Sequence, residues 1–317
     1  MNKIVFGITT YNSLDFLYEN LEVLFNEISK LHKYNKKIIV SSNGNQNFKN
    51  IPIIIDQLKE IFDTIEIELL NTTVKGKNNA LNAILKCCDQ DDICYFIDDD
   101  IDISYSTIQS NIECLIRYRV LYNIPVIVGP NFKMKQNNYN LFQRIISIPY
   151  LENAANSPFV MGGALTFYKK DFESYPTDEN VADDGYIGNY FLKYLYDHNI
   201  TQYSTNIIKD GYAYFKPCKT YHEWKQQQIR ILIGVDNSYK YFGYQYEDYF
   251  KSKCKWEFSF SKELQKPIKM NLNVLIYRLL QKRVLKMLKK IKTNQVVWEN
   301  ISSTKKFRLL KYGKKGM

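Results

Sequence analysis

The segment ICYFIDDD (Ile93–Asp100) turns from apolar to acidic within one step of the chain. Its five apolar residues predict a buried strand, and three consecutive carboxylates follow at Asp98, Asp99 and Asp100. Repulsion between like charges and loss of hydration both oppose such a cluster at the end of a buried strand. The cluster therefore requires a positive charge nearby, either a side chain or a bound cation.

Strands and helices are predicted to alternate on both sides of this segment. Apolar runs predict strands at residues 3–10, 36–45, 65–71, 93–97 and 125–130. Helical spacing of apolar residues predicts helices at residues 13–31, 51–62, 75–88 and 106–122. This alternation is typical of βαβ units, so we predict an α/β fold with a mostly parallel sheet flanked by helices.

The second half of the chain alternates less regularly. Residues 131–158 show only a weak pattern, and residues 159–172 predict a strand with a turn at Gly162 and Gly163. Further elements are predicted as a helix at 182–198, a strand at 211–216 and helices at 222–234 and 273–292. The last of these helices is amphipathic, with an apolar stripe and a basic remainder.

Positive charge is concentrated at the end of the chain. Residues 261–317 contain 16 Lys and Arg but two acidic residues, a net charge of +14, whereas residues 1–260 carry a net charge of −4. We therefore divide the chain into a body at 1–260 and a basic helical tail at 261–317. The tail has three interpretations: a helix on an anionic membrane, a nucleic-acid patch, or a helix packed on the body.

The sequence predicts a cytoplasmic protein. Its first apolar run is broken too early for a signal peptide, and no run approaches the roughly 20 apolar residues that span a bilayer. The six cysteines show no C-x-x-C spacing, so we interpret them as reduced packing residues.

Charged residues open several predicted elements, and each has a functional and a structural interpretation. The acidic triplet suits a hard cation, Mg²⁺ or Mn²⁺, at the sheet edge where α/β proteins bind ligands, or it is a solvated turn. Lys75 and Lys77 could bind an anion at a helix start or be simply exposed. Asp183 and Asp184 could supply a general base or cap a helix. His222 is a possible metal ligand or a structural residue.

Short segments in a fixed order make the chain resemble a family 2 glycosyltransferase, which has the fold known as GT-A. The similar segments are ITTYNSLDFLYENLEVL (8–24), IIVSSNG (38–44), KGKNNALNAIL (75–85), YFIDDD (95–100), FVMGGAL (159–165), ADDGYIGNYF (182–191) and QQIRILIG (227–234). YFIDDD matches the family's Asp-x-Asp motif, and ADDGYIGNYF stands where the family has Glu-Asp. The resemblance covers roughly residues 8–234.

The resemblance implies roles for the donor and metal side of a site. Asp100 would coordinate a divalent cation that bridges the donor's diphosphate, and His222 would be a late metal ligand. Asp98 would contact the ribose or the hydrated metal, Asp99 would support either neighbour, and Lys77 would approach the nucleotide. The other donor-side positions are Thr9, Thr10, Tyr11 and Asn43.

The resemblance also implies a catalytic and acceptor side. Asp184 would be the catalytic base, with Asp183 orienting it. The positions near the acceptor or the departing diphosphate are Gly162, Gly163, Gln227 and Arg230.

Two departures from the family pattern limit what the resemblance implies. The family usually offers an aspartate to the uracil ring where this chain has Ser42 and Asn43, so the nucleotide stays open. Ile231 replaces the tryptophan of the Gln-x-x-Arg-Trp segment, which weakens any inference of processive synthesis.

Together these features predict a metal-dependent inverting glycosyltransferase. It would move a sugar from a nucleotide-sugar donor to a saccharide or lipid-linked acceptor in surface glycan synthesis, with peripheral contact at the inner face of the plasma membrane. One alternative is a nucleotidyltransferase that makes sugar nucleotides, although the single glycine in GITTYNS argues against its Gly-rich loop. Another is an inactive glycan- or nucleic-acid-binding module, which the intact Asp100 and Asp184 disfavour.

Overall fold

The computed structural model describes residues 3–11, 14–43, 50–135, 139–152, 160–178, 181–253 and 268–288. The strands are β1 (Lys3–Thr10), β2 (Asn35–Asn43), β3 (Glu66–Thr72), β4 (Ile93–Asp98), β5 (Asp102–Ile103), β6 (Ile127–Met134), β7 (Ala164–Tyr168) and β8 (Ile207–Phe215). The helices are α1 (Leu14–Ser29), α2 (Ile51–Ile61), α3 (Lys77–Lys86), α4 (Tyr105–Tyr122), α5 (Leu141–Glu152), α6 (Asp183–Asp197), α7 (Tyr221–Tyr241), α8 (Tyr244–Lys253) and α9 (Ile268–Leu288). In these ranges, no helix has both the length and the apolar character to cross a membrane.

The strands of the described ranges form one sheet in the order β3-β2-β1-β4-β7-β6-β8-β5. The first four positions are parallel, β7 lies antiparallel between β4 and β6, and β8 runs parallel to β6. Because β7 is antiparallel to both β4 and β6, the strands β6 and β8 point the same way as β4. The carboxyl ends of these strands therefore meet at one edge, and the predicted α/β fold is confirmed.

Apolar side chains cover both faces of the sheet. One core joins the sheet to α1, α2 and α4, through residues such as Phe25, Leu58 and Ile112. The other core joins it to α3, α6 and α8, through residues such as Ile84 and Phe191. Strands that are buried on both faces need apolar residues at nearly every position, which is why β4 reads as an unbroken apolar run.

Several elements differ from the sequence prediction. Residues 131–158 showed only a weak pattern, yet they contain the end of β6 and all of α5. Pro149 lies inside α5, where proline is unfavourable for a helix, so the sequence pattern there is weak. The start of α5 is stabilised by a reciprocal cap. In that cap, Gln143 N–H donates to Asn140 Oδ1 at 2.8 Å and Asn140 N–H donates to Gln143 Oε1 at 3.2 Å.

The basic helix α9 packs on the body through its apolar stripe. Val284 is buried, and Tyr277 and Leu280 pack beside it against residues of α5 and α7. The rings of Trp224 and Tyr277 are 6.0 Å apart between centroids. The predicted division of the chain at residue 260 stays a prediction, because residues 254–267 and 289–317 lie outside the described residues.

Candidate active site

The carboxyl ends of β1 and β4 lie side by side at the edge where the strands meet. Thr9 pairs with Asp98 across the two strands, so the acidic triplet begins next to the hydroxyl-rich end of β1. The N–H of Asp98 donates to the carbonyl of Gly163 at 2.9 Å, which fixes the paired-glycine turn against the triplet. This edge therefore brings together the end of β1, the acidic triplet and the turn at Gly162 and Gly163.

Lys77 supplies the positive charge that the acidic triplet requires. Its ammonium lies 2.8 Å from Asp98 Oδ1 and 2.9 Å from Asp183 Oδ2, in the first turn of α3. It also donates to the carbonyl of Gly162 at 3.4 Å. Lys77 therefore joins the end of β4 to the start of α6, two segments that are 85 residues apart in the chain.

The other two aspartates of the triplet have different surroundings. Asp99 is buried, and its Oδ2 accepts a hydrogen bond from the hydroxyl of Thr10 at 2.9 Å. Asp99 and Thr10 are therefore bonded to each other in the interior, and their contact with a donor stays a prediction. Asp100 is half-buried, and it lies close enough to Asp98 for their charges to interact.

Asp183 and Asp184 form the first turn of α6, but neither caps it. The N-cap is Ala182, which offers no side chain to the helix. The backbone N–H groups of Gly185 and Gly162 donate to the two oxygens of Asp184, at 2.7 and 3.4 Å. A Cβ added to Gly162 would lie 2.6 Å from Asp183 Oδ2, so only glycine allows the turn to approach these carboxylates.

Burial and neighbouring charges change the acidity of this cluster. Burial raises the pKa of Asp98 to about 6, even though Lys77 opposes the rise, and Asp100 adds to it. Burial also raises the pKa of Asp184 to about 6, with a contribution from Asp183. Burial lowers the pKa of Lys77, but its carboxylate partners outweigh that and hold it charged. Asp184 is therefore a carboxylate suited to accept a proton near neutral pH.

Helix α7 brings a second cation to the cluster. Burial lowers the pKa of Arg230, whereas the charges of Asp183, Asp98 and Asp184 act to raise it, which places its guanidinium near them. Gln227 lies one turn earlier and accepts a hydrogen bond from the thiol of Cys218 at 3.4 Å. Arg230 therefore borders the carboxylate cluster, and the place of Gln227 near the acceptor or the diphosphate stays a prediction.

A glycine that the sequence analysis did not single out sets the position of α6. The carbonyl of Gly234 accepts a hydrogen bond from the N–H of Ala182 at 3.2 Å. A Cβ at Gly234 would lie 2.8 Å from the Cβ of Ala182. The sequence offered one signal for Gly234, because it is a glycine in the helical pattern of residues 222–234. A glycine in a helix usually allows another part of the chain to pack closely against it.

Two residues of the predicted nucleotide side, Asn43 and Tyr11, are partly or fully buried. Asn43 is buried, and its amide donates to the carbonyls of Val74 and Gly76 at 3.2 and 2.6 Å. It thereby holds the loop that leads to Lys77. Tyr11 is half-buried directly after β1. Contact of Asn43 or Tyr11 with a nucleotide stays a prediction.

The carboxylates fit a divalent cation only if a substrate completes the coordination. Among the described residues, no group of three or more His, Cys, Asp or Glu side chains could hold a metal ion. Asp98 and Asp100 still provide two hard oxygen donors, and Mg²⁺ sites often use one or two carboxylates together with substrate phosphates. The donor set therefore fits a cation that is shared with a diphosphate.

The role of His222 as a metal ligand stays a prediction. His222 is exposed in the first turn of α7, eight residues before Arg230. Eight residues correspond to roughly 12 Å of helix axis. His222 and Arg230 therefore lie about two turns apart on α7.

Comparison with known proteins identifies the class. The model of the family described as Glycosyl transferase family 2 matches residues 6–175, which is more than half of the chain. The chain belongs to this family and is a glycosyltransferase. The matched region contains the acidic triplet and the paired glycines, and it ends before α6. No curated protein matches the chain.

Solved structures share the fold at low sequence identity. A mannosyltransferase, PcManGT from Pyrobaculum calidifontis in complex with GDP-Man and Mn²⁺, is 13% identical with a TM-score of 0.55, over 91% of this chain and 88% of that one. Glucosyl-3-phosphoglycerate synthase from Mycobacterium tuberculosis is 14% identical with a TM-score of 0.47, over 75% and 80% of the two chains. TarS 1–349 from S. aureus is 14% identical with a TM-score of 0.44, over 92% and 83%.

Proposed function

We propose that the protein transfers a sugar, with inversion, from a nucleotide-sugar donor to a saccharide or lipid-linked acceptor in surface glycan synthesis. The observation that carries the proposal is the ion-pair network in which Lys77 joins Asp98 to Asp183, beside Asp184. A donor-side carboxylate and a candidate base, from distant parts of the chain, thereby meet at one sheet edge. The similar mannosyltransferase structure holds GDP-Man and Mn²⁺, which supports the same donor class for this chain.

In the proposed reaction, Asp184 accepts the proton of the acceptor hydroxyl. The acceptor oxygen attacks the anomeric carbon of the donor while the bond from that carbon to the diphosphate oxygen breaks. A single displacement of this kind inverts the configuration at the anomeric carbon. The N–H groups of Gly162 and Gly185 hold the Asp184 carboxylate in place, so its position does not depend on the substrate.

The proposal includes a divalent cation, Mn²⁺ or Mg²⁺, which Asp98 and Asp100 would hold together with the donor. When bound, the cation supplies neutralisation of the negative charge on the departing nucleoside diphosphate. Arg230 adds a fixed positive charge beside the same carboxylates. Lys77 keeps Asp98 and Asp183 paired, which limits their repulsion.

A panel of UDP-, GDP- and ADP-sugars, incubated with the protein and Mn²⁺, tests the proposal. We expect at least one donor to release its nucleoside diphosphate, and we expect EDTA or the Asp100→Ala variant to abolish that release. Pyrophosphate formation from a nucleoside triphosphate and a sugar phosphate would instead indicate a nucleotidyltransferase. Glycan binding without turnover of any donor would indicate an inactive module.

The rate is expected to depend on pH through Asp184. Its pKa is raised from 3.8 to about 6, so the base is ionised above pH 6 and protonated below it. We expect kcat/KM to be level above about pH 7 and to fall roughly tenfold per pH unit below pH 6. A profile that stays level down to pH 5 would contradict the assignment of Asp184 as the base.

We also propose peripheral contact between α9 and an anionic membrane, at the inner face of the plasma membrane. Leu272, Leu275 and Leu279 are each more than half exposed, at helical steps on the side of α9 away from the body. Lys282 and Lys286 continue the same row and are exposed. An apolar row that continues into basic residues fits the surface of an anionic bilayer.

Flotation with phosphatidylserine-containing vesicles tests this contact. We expect the full-length protein to float with these vesicles and not with phosphatidylcholine alone. A Leu275→Gln/Leu279→Gln variant is expected to lose most of the bound fraction, because it removes the apolar row. Leu121→Gln, an equally exposed leucine on α4, should float like the wild type. Equal flotation of all three proteins would contradict the assignment of α9.

A further inference from the structure

Two exposed tyrosines lie on the sheet face beside the acidic triplet. Tyr212 and Tyr214 occupy alternate positions of β8, with 42% and 36% of each residue exposed. Ala213 between them points the other way and is fully buried. The two phenol rings therefore share one face of the sheet and are partly exposed there.

A β-bulge gives the tyrosines this orientation. Gly129 pairs with Lys209 and Asn131 with Tyr212, so two residues of β8 stand opposite one residue of β6. Pairing without the extra residue would turn every later side chain of β8 to the opposite face, and both tyrosines would enter the core. Bulges commonly re-aim side chains next to active sites.

Helix α4 holds the bulge rigidly. The hydroxyl of Thr107 donates to the carbonyl of Tyr212 at 3.1 Å, and the amide of Asn111 donates to the carbonyl of Asp210 at 2.6 Å. Gly211 has a φ of +66°, and a Cβ there would lie 2.8 Å from Thr107 Cγ2. The bulge is thus a fixed part of the fold.

The register connects the tyrosines to the active site. Tyr214 pairs with Lys133 on one side and with Asp102 on the other, so these three side chains form one row on the same face. Asp102 follows Asp100 by two residues, which span at most about 7 Å, and paired strands add about 5 Å. Tyr214 therefore lies within about 12 Å of Asp100 between Cα atoms.

Polar groups surround the two rings. The ammonium of Lys133 lies 3.5 Å from the ring centroid of Tyr212, and Lys135 forms an ion pair with Asp102 at 2.7 Å. A sugar ring presents C–H bonds on its faces and hydroxyls around its rim. Exposed aromatic faces bordered by charged donors and acceptors match both parts of such a ring.

We propose that Tyr212 and Tyr214 form the binding surface for a saccharide acceptor. The proposal rests on the proposed transfer reaction, because it assigns the acceptor of that reaction to this face. The two rings would stack on a sugar unit of the acceptor chain, and the ammonium of Lys133 would donate hydrogen bonds to the hydroxyls of that sugar. The acceptor would then extend along β8 from the carboxylate cluster.

The test measures binding of maltotriose, cellotriose, N-acetylchitotriose and mannotriose to the full-length protein by saturation-transfer difference NMR, with Mn²⁺ and UDP or GDP present. We expect the wild type to bind at least one of them. The Tyr212→Ala/Tyr214→Ala variant should bind it at least about tenfold more weakly, the loss of two stacked rings. Tyr212→Phe/Tyr214→Phe keeps the rings and should bind within about threefold of the wild type. Tyr244→Ala, an exposed tyrosine on α8, should bind like the wild type.

Wild-type levels of binding in the double alanine variant would overturn the proposal, and so would a wild type that binds none of the four trisaccharides. Release of nucleoside diphosphate from nucleotide sugars in the absence of acceptor is measured in parallel. The double alanine variant should keep that release, since its carboxylates are intact. Failure of the wild type to release any nucleoside diphosphate would count against the proposed function, whereas the binding result judges the tyrosine surface separately.

Discussion

The Asp184→Asn variant is expected to lower kcat by about 10²- to 10⁴-fold, the usual contribution of a general base. The amide has the same shape as the carboxylate, and its oxygen can still accept one of the two hydrogen bonds that Gly162 and Gly185 donate to the separate oxygens of Asp184. It cannot take a proton from the acceptor hydroxyl, so the loss should fall on kcat while the KM for the donor changes little. Steady-state release of nucleoside diphosphate, with the donor and acceptor found in the panels, measures both constants.

Two comparisons make this result specific. Asp236→Asn changes an exposed aspartate on α7 that pairs with Lys240, and it should leave kcat within about twofold of the wild type. The fall in rate below pH 6 should become less steep in the residual activity of Asp184→Asn, while Asp98, whose pKa burial also raises to about 6, still titrates there. If Asp184→Asn turned over at the wild-type rate, another group would be the base.

The Lys77→Met variant is expected to lower the free energy of unfolding by about 3 kcal/mol, because it leaves Asp98 and Asp183 without their shared cation. The three side chains are between 11% and 28% exposed, so we place the loss at the lower end of the range for broken buried pairs. Urea denaturation at pH 7.5, without divalent cations, measures the change.

Variants at neighbouring positions separate the charge effect from the change of side chain. Lys75→Met alters an exposed lysine two residues away and should change stability by no more than about 0.5 kcal/mol. Adding Asp98→Asn to Lys77→Met removes one of the stranded carboxylates and should recover part of the lost stability. A Lys77→Met protein as stable as the wild type would show that the ion pairs contribute nothing net.

The first half of the fold could be predicted because its signals are local. The strands of the parallel part are buried on both faces, so their apolar runs are nearly continuous, and the helices between them keep regular apolar spacing. In the second half, α5 contains a proline and β5 has two residues, so neither produces a periodic pattern. Their positions depend on reciprocal capping and on pairing with β8, which short windows of sequence do not reveal.

The site was predicted residue by residue with unequal success. Asp98 could be singled out because a carboxylate cluster at the end of a buried strand is unfavourable without a positive partner. Asp183 and Asp184 could be singled out because they open a helix and stand where the resembled family has Glu-Asp. The residues alone gave Lys75 and Lys77 the same interpretation, and the resemblance placed only Lys77 near the nucleotide. The folded chain then shows Lys77 paired with Asp98, whereas Lys75 is exposed. The role of His222 as a metal ligand stays a prediction, because a position along α7 does not fix which residues its side chain meets.

The sequence by itself determined the alternation of strands and helices, the basic tail and the need for a cation beside Asp98–Asp100, since all three follow from the order of apolar and charged residues. The tertiary structure decided that Lys77 is the side chain that pairs with Asp98. It also decided which tail residues face the body and which way Tyr212 and Tyr214 point. These outcomes depend on contacts between distant segments and on a single extra residue in β8, and one residue of register is enough to exchange the buried and exposed faces of a strand.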